Sequence, residues 1–404
     1  MDAGFRRFWL GETVTFFGGA VRSLALPLTA VLLLDATPAQ MGVLVMLQNL
    51  PTLFVSLFAG VWIDRARRRP IMVGGSLVRA ALLSTIPLLA MTDQLRIEYL
   101  YVVSAGLGVA TVISAIAARA YLAWLVPPER LVRANSRLEL SGSAAHLVGP
   151  GLGGALVSAL TAPVALAVDA VAHLFGAACL ASIPRSEEPP APRERRPVFT
   201  EIREGLRLVL HHAILRPIVL CGASHNFASQ MIVALSVLYI TRVLDISPWV
   251  LGLIIGAAGP GALIGSAIAP RLSDRWGMGR ALLFSQVLTG FARVLIPLAA
   301  GPKPVVIATL VASEFLLGIA RPIFNVNQIS LRQRSAPGHL QGRVNASFSF
   351  LLWGVPPLGA AFGGWLGGVI GMRTCLWIAS AGVMAASLFV VFSDLIRGDE
   401  EATP

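Results

Sequence analysis

Charge is scarce in this chain. Only 13% of the 404 residues are Asp, Glu, Lys or Arg, against 55% that are hydrophobic. Acid is scarcer than base, with 21 acidic side chains against 32 basic ones and a formal charge of +11. Cysteine is nearly missing. Cys179, Cys221 and Cys375 are too scattered for a metal motif and fall in apolar runs, as packing residues do. The six histidines show no ligand spacing; His211 and His212 are simply adjacent. No Walker-type phosphate loop is present, so ATP is not expected to drive any activity. No metal, cofactor or catalytic constellation is expected, and the chain does not read as an enzyme.

What is abundant is apolar length. The mean hydropathy is +0.74, and apolar runs of about 20 residues or more recur from end to end, the mark of membrane spans. A soluble α/β protein would show shorter runs separated by amphipathic helices. After Arg6 and Arg7 the run from Phe8 to Leu34 is too long for a signal-peptide core. Hydropathy predicts spans at 8–34, 41–63, 71–91, 98–125, 138–160, 162–183, 214–241, 248–270, 281–300, 304–327, 345–367 and 372–394. Backbone polar groups in hydrocarbon need internal partners, so these twelve are helices and the fold is all-α.

The arginines orient the chain. The loop after the second span holds Arg65, Arg67, Arg68 and Arg69, and that after the fourth holds Arg130, Arg133 and Arg137. The corresponding later loops hold Arg271, Arg275 and Arg280, then Arg332, Arg334 and Arg343. Opposite loops carry one basic residue each (Arg96, Arg242, Lys303, Arg373) or none. The positive-inside rule predicts these Arg clusters and both termini in the cytoplasm. Basic residues spread over short loops do not form a nucleic-acid surface, despite a pI near 11.0.

A polar stretch from Pro184 to Pro217 separates two six-span halves. Its first part is rich in Pro, Arg and Glu and reads as a linker or exposed connector. Its second part places Phe199, Ile202, Leu206, Val209 and Leu210 at helical spacing, predicting an amphipathic interfacial helix. The expected organisation is 1–183, a cytoplasmic linker 184–213, and 214–404. The halves repeat at a constant offset of 210 residues. Asp35, Pro38 and Gly42 fall on Asp245, Pro248 and Gly252; Asp64 and Arg65 fall on Asp274 and Arg275; Gly149, Gly153 and Gly154 fall on Gly359, Gly363 and Gly364. Such parallel halves are one known transporter plan.

Several residues stand out within this frame. In GVWIDRARRRP (60–70), Gly60 permits close helix approach, while Asp64 sits at a helix C-terminus and needs a cationic or helix-terminal partner. Asp64 and Asp274 are expected to latch near Asn345 and Asn135. In the fifth span, Gly142, Gly149, Pro150, Gly153 and Gly154 combine a kink with small residues. Charges inside spans are costly and tend to be functional. They are Glu12, Arg22, Arg79, Arg119, Asp169, His173, His225, Arg293, Glu314 and Arg321. Glu12 and Arg119 are near enough to the interface to snorkel. Asp169 and His173 lie one turn apart and can share a proton or hydrogen bond. Trp9, Trp124 and Trp249 sit near span ends, as interface anchors do.

GVWIDRARRRP and its weaker copy APRLSDRWGMGR (269–280) resemble the loop motif of the major facilitator superfamily, and the resemblance covers nearly the whole chain. Three blocks are similar to its drug-exporter branch of macrolide and enterobactin exporters: LVPPERLVRANSRLELSGSAAHLVGPGLGGAL, EIREGLRLVLHHAILRP and GRVNASFSFLLWGVPPLGAAFGGWLGGVIGMRT. The resemblance implies that GPGLGG is an antiporter-type export motif and that an acid in the sixth helix, here Asp169, is usual. The branch also has an acid after the glycine in its first helix, where this chain has Gly19. The implied activity is proton-driven export of small amphiphiles by alternating access. Asp169, Glu314, His173 and Glu12 are the proton-coupling candidates. Gly60, Asp64, Arg65, Arg69, Asp274, Arg275 and Arg343 are the gate candidates, and Arg22, Arg293 and Arg321 the cavity charges. Expected partners are a small-molecule substrate, protons and the lipid bilayer, with the chain a monomer in the cell membrane. Two other classes stay open: a lysolipid-type flippase without proton coupling, and a receptor built on the same scaffold.

Overall fold

The computed structural model describes residues 3–63, 66–184, 187, 206–207, 209–335 and 341–393, without the side chains at 56–62, 335, 341–343 and 345–346. No strand occurs among the described residues. The first half comprises α1 (Ala3–Leu32), α2 (Pro38–Ile63), α3 (Arg68–Met91), α4 (Ile97–Leu125), α5 (Leu131–Ala159) and α6 (Ala162–Ala181). The second comprises α7 (Leu215–Arg242), α8 (Pro248–Gly256), α9 (Ala258–Trp276), α10 (Met278–Leu298), α11 (Lys303–Ser335), α12 (Gln341–Gly354), α13 (Pro356–Ile370), α14 (Met372–Ala385) and α15 (Leu388–Val391).

Ten segments of the described residues are long and apolar enough to cross a membrane. The other two expected spans coincide with α2 and α5, helices of 26 and 29 residues. Both exceed the roughly 20 residues that a crossing needs. The expected span 248–270 is interrupted at Ala257 between α8 and α9. Pro260 explains the break, because its ring opposes the carbonyl four residues earlier, that of Gly256. The span 345–367 breaks at Val355, just before the pair Pro356–Pro357, for the same reason. The amphipathic linker helix lies largely outside the described residues. Of its last turn, Val209 is fully buried beside Leu215 and Phe348.

The chain forms two compact units, Met1–Glu194 with Ile240–Gly256, and Arg195–Tyr239 with Ala257–Pro404. In the first, α1 packs on α5 and α6, α3 on α4 and α6, α2 on α4, and α8 on α5. In the second, α9 and α10 pack on α11, α10 on α14, and α13 on α14.

The repeat read from the sequence recurs in the backbone. Asp35 and Asp245 both adopt the left-handed conformation, at φ of 47° and 52°. Matching hydrogen bonds surround them: Ala36 N donates to Ala30 O, and Ile246 N to Ile240 O. A Cβ on Gly108 would strike the carbonyl of Gln48, and one on Gly318 would strike that of Ala258, its counterpart. Gly153 lies against Val21, and Gly363 against Met231. These glycines are small for a shared reason: at each, another helix's backbone occupies the space of a side chain.

Candidate functional site

In the first unit α6 carries Asp169, fully buried, into a group of charges from three helices. Arg22 Nε of α1 stands 3.4 Å from Asp169 Oδ2, and His173 Nε2, one turn along α6, stands 3.5 Å from Oδ1. Neither carboxylate oxygen has a hydrogen-bond partner among the described residues, nor does Arg22 Nη1 or either His173 nitrogen. The carboxylate is therefore held by charge and not by directed donors. Gly18 makes this possible, since a side chain there would collide with Asp169 Oδ1. Gly18 adjoins Gly19, the place where the resembled branch has its first-helix acid, so an acid from α6 comes up against that part of α1. Arg79 of α3 interacts electrostatically with Glu12, Asp169 and Arg22. It also donates from Nε to Gly75 O at 3.2 Å. Glu12, expected near the interface, interacts electrostatically with Arg79 and is half-buried.

The second unit gathers its own charges. Arg293 of α10, 7% exposed, lies with Nη1 3.8 Å from Glu314 Oε1 of α11. Gln286 Nε2 donates to His225 Nδ1 of α7 at 2.9 Å and to Val383 O. Ser313 Oγ and Ser380 Oγ donate to the carbonyls of Ala292 and Arg293 and fix α10 between its neighbours.

The GVWIDRARRRP stretch divides into parts with different fates. Asp64 and Arg65 lie outside the described residues, as do the surroundings of Gly60 and the side chain of Arg343, so the Asp64 latch is not among the observed contacts. Asp274 and Arg275 are exposed. Arg69 does more than set topology: its Nε donates to Leu180 O at 2.9 Å and its Nη2 to Ala181 O, closing the C-terminal end of α6. Such a cation at a helix C-terminus is favourable.

Sequence reasoning missed the partner on the other side. Glu187 Oε2 accepts from the backbone N–H groups of Arg68 (2.7 Å) and Arg69 (3.0 Å), and its Oε1 pairs with Arg68 Nη1 at 3.3 Å. A carboxylate thus covers the otherwise unpaired N–H groups that open α3. Its signal was an acid in the linker, which composition alone does not assign to a distant helix.

The fifth-span motif also separates. Gly149 and Gly153 seat α5 against Ala20 and Val21 of α1. Gly154 and Pro150 meet α8 instead: a Cβ on Gly154 would lie 3.1 Å from Gly252 Cα and closer still to Pro248 O, while Gly252 faces the Pro150 carbonyl. Gly142 has nothing within 4 Å of its absent side chain. Near this crossing Arg242, at the end of α7, donates to Val31 O at 2.9 Å, Ala36 O at 3.1 Å and Asp35 Oδ1 at 3.0 Å. Trp9, expected as an interface anchor, donates from Nε1 to Ser141 Oγ at 3.0 Å.

The family model of the Major Facilitator Superfamily matches residues 8–356 and, again, 218–403. The multidrug efflux pump Tap of Mycolicibacterium fortuitum is 28% identical over 374 residues, which cover 88% of this chain and 87% of that protein. The enterobactin exporter EntS of Salmonella typhimurium is 27% identical over 413 residues, covering 96% and 90%. Among solved structures, the nucleoside transporter NupG aligns with a TM-score of 0.77 at 12% identity, over 97% of this chain and 98% of that one. A bacterial homologue of the iron transporter ferroportin, inward-facing, aligns with a TM-score of 0.74 at 18% identity, over 96% and 98%. At these identities the structural likeness speaks for the fold alone.

Proposed function

Because the chain belongs to the Major Facilitator Superfamily, we propose that it is a proton-coupled exporter of small amphiphilic molecules, working by alternating access of its two halves in the cell membrane. The efflux relatives Tap and EntS support the direction of transport. The observation that carries the coupling is the buried Asp169 between Arg22 and His173.

A coupling group must take up and release a proton inside the membrane, and the two forms must favour different arrangements of the helices. At 3.4 Å and an effective dielectric near 20, the Arg22–Asp169 attraction is about 5 kcal/mol. Protonating the carboxylate removes it. Set against the cost of burying the charge, that change is still of the order of the few kcal/mol that separate two access states. Glu314 with Arg293 is the second candidate, with looser geometry and a side chain 23% exposed. At least one of the two acids carries the coupled proton.

The test is substrate-induced proton release from proteoliposomes, with Asp169→Asn, Glu314→Gln and the double variant. Loss of release in one single variant assigns the proton. Release like the parent in all three refutes the assignment.

A further inference from the structure

The charge cluster of the second unit holds a cationic surplus that the cluster of the first does not. On α10, Gln286 and Arg293 lie seven residues apart, and on α11 so do Glu314 and Arg321. Seven residues are two helical turns, so each pair shares a face. The Arg293–Glu314 pair at 3.8 Å brings the two faces together. Arg321 interacts electrostatically with Arg293, Glu314 and His225. His225 stacks on Phe324, one turn from Arg321, with ring centroids 6.1 Å apart.

The cluster thus has two guanidinium groups and one carboxylate. Arg321 makes no hydrogen bond or ion pair among the described residues, and Arg293, although 7% exposed, leaves Nε without a partner. Arg321 is nevertheless exposed, and it lies 18 residues into the 33-residue α11. Its expected span ends at residue 327, which puts it about 9 Å inside the cytoplasmic end of that span. A guanidinium inside a span is costly unless it meets polar partners, and the Arg293–Glu314 pair is the charged neighbour with which Arg321 interacts.

The duplicated scaffold does not demand this charge. The counterparts of Gln286, Arg293, Glu314 and Arg321 in the first half are Ser76, Leu83, Ser104 and Thr111. In the first unit, moreover, Glu12 and Asp169 balance Arg22 and Arg79 one for one.

We propose that Arg321 and Arg293 form a membrane-embedded site for an acidic group, and that the exported amphiphile is an anion or a zwitterion. The proposal rests on the export reading above and names its substrate class. The substrate's acid supplies the carboxylate that the cluster lacks. The planar guanidinium of Arg321 binds it with two parallel N–H···O bonds, and Gln286 holds His225 beside it. Glu314 and the arriving acid compete for Arg293.

Two dyes with one xanthene skeleton and opposite charge, anionic fluorescein and cationic rhodamine 123, serve as probes. Their binding to the full-length protein in phosphatidylcholine nanodiscs is read by fluorescence anisotropy, with empty nanodiscs subtracted. Wild type should bind fluorescein more tightly than rhodamine 123. Arg321→Gln should weaken fluorescein by about tenfold or more and leave rhodamine 123 unweakened. Glu314→Gln should tighten fluorescein by removing its competitor. Where Arg321→Gln loses both dyes, Arg321→Lys decides: it must keep the preference for fluorescein. No wild-type preference for fluorescein, unchanged fluorescein affinity in Arg321→Gln, or loss of the preference in Arg321→Lys overturns the site. A protein that binds fluorescein through Arg321 yet releases no protons refutes the coupling reading and leaves the site standing.

Discussion

Two glycines on α5, three residues apart, should respond unequally to the same added methyl group. Gly151 has open space around its missing side chain. A Cβ on Gly154 would instead meet Gly252 Cα at 3.1 Å, the carbonyl carbon of Pro248 at 3.2 Å, and Pro248 O closer still. All three are backbone atoms, which cannot rotate away, and carbon contacts normally settle at about 3.5–4.0 Å. The helices must therefore separate. Replacing a mid-helix glycine by alanine gains roughly 0.8–1.0 kcal/mol of helix propensity at either site. That gain cancels in the comparison, so the difference isolates the overpacking cost of about 1–3 kcal/mol. Gly151→Ala should be neutral or stabilising, and Gly154→Ala less stable than it by that difference, in denaturant titrations of the purified protein in maltoside micelles. Gly252→Ala should mimic Gly154→Ala. The pair together should cost less than their sum, because the first methyl already opens the crossing. Equal stability of Gly151→Ala and Gly154→Ala would refute the claim that α5 and α8 touch backbone to backbone.

Arg242 should matter more than the acid beside it. Asp35 is 94% exposed in its side chain, so Asp35→Asn should change stability by less than about 0.5 kcal/mol, whereas Arg242→Gln loses donors to two carbonyls and should cost about 1–2 kcal/mol in the same titration. Glu187→Gln should lower stability by about 1–2 kcal/mol, since a neutral amide replaces the carboxylate at the start of α3; a change within 0.3 kcal/mol, roughly, would show the contact to be idle. For topology, a cysteine at Arg195 should resist an impermeant thiol reagent in intact cells and one at Lys303 should react. Labelling at position 195 would refute the orientation.

The helices were legible because a membrane permits so few alternatives. Twenty apolar residues in a row have one stable form in hydrocarbon, and the expected spans fall on helices almost throughout. The breaks at Ala257 and Val355 were less legible, although Pro260 and Pro356–Pro357 were in view. Proline is tolerated inside other helices of this chain, such as Pro51 in α2 and Pro150 in α5, so its presence alone does not locate a break. The 210-residue repeat was visible because Asp35 and Asp245, or Gly108 and Gly318, answer to the same backbone need in each half.

The charges were visible as individuals but not as partners. Asp169 and His173 are one turn apart in sequence, so their contact could be read directly. Arg22 lies 147 positions from Asp169 and meets it only because Gly18 lets α6 close on α1. Similarly, Arg69 could be assigned to a cytoplasmic cluster by counting, whereas its hold on the end of α6 depends on how α3 and α6 pack.

By itself the sequence determined the membrane solvent, the all-helical fold, the duplication and the transporter family, since each follows from local apolarity or from residues at a repeated spacing. Only the tertiary structure decided which charges balance and which remain. Pairing depends on helix crossings a few ångströms wide, set by glycines facing partner backbones. Those crossings give Asp169 its arginine and leave Arg321 exposed without one.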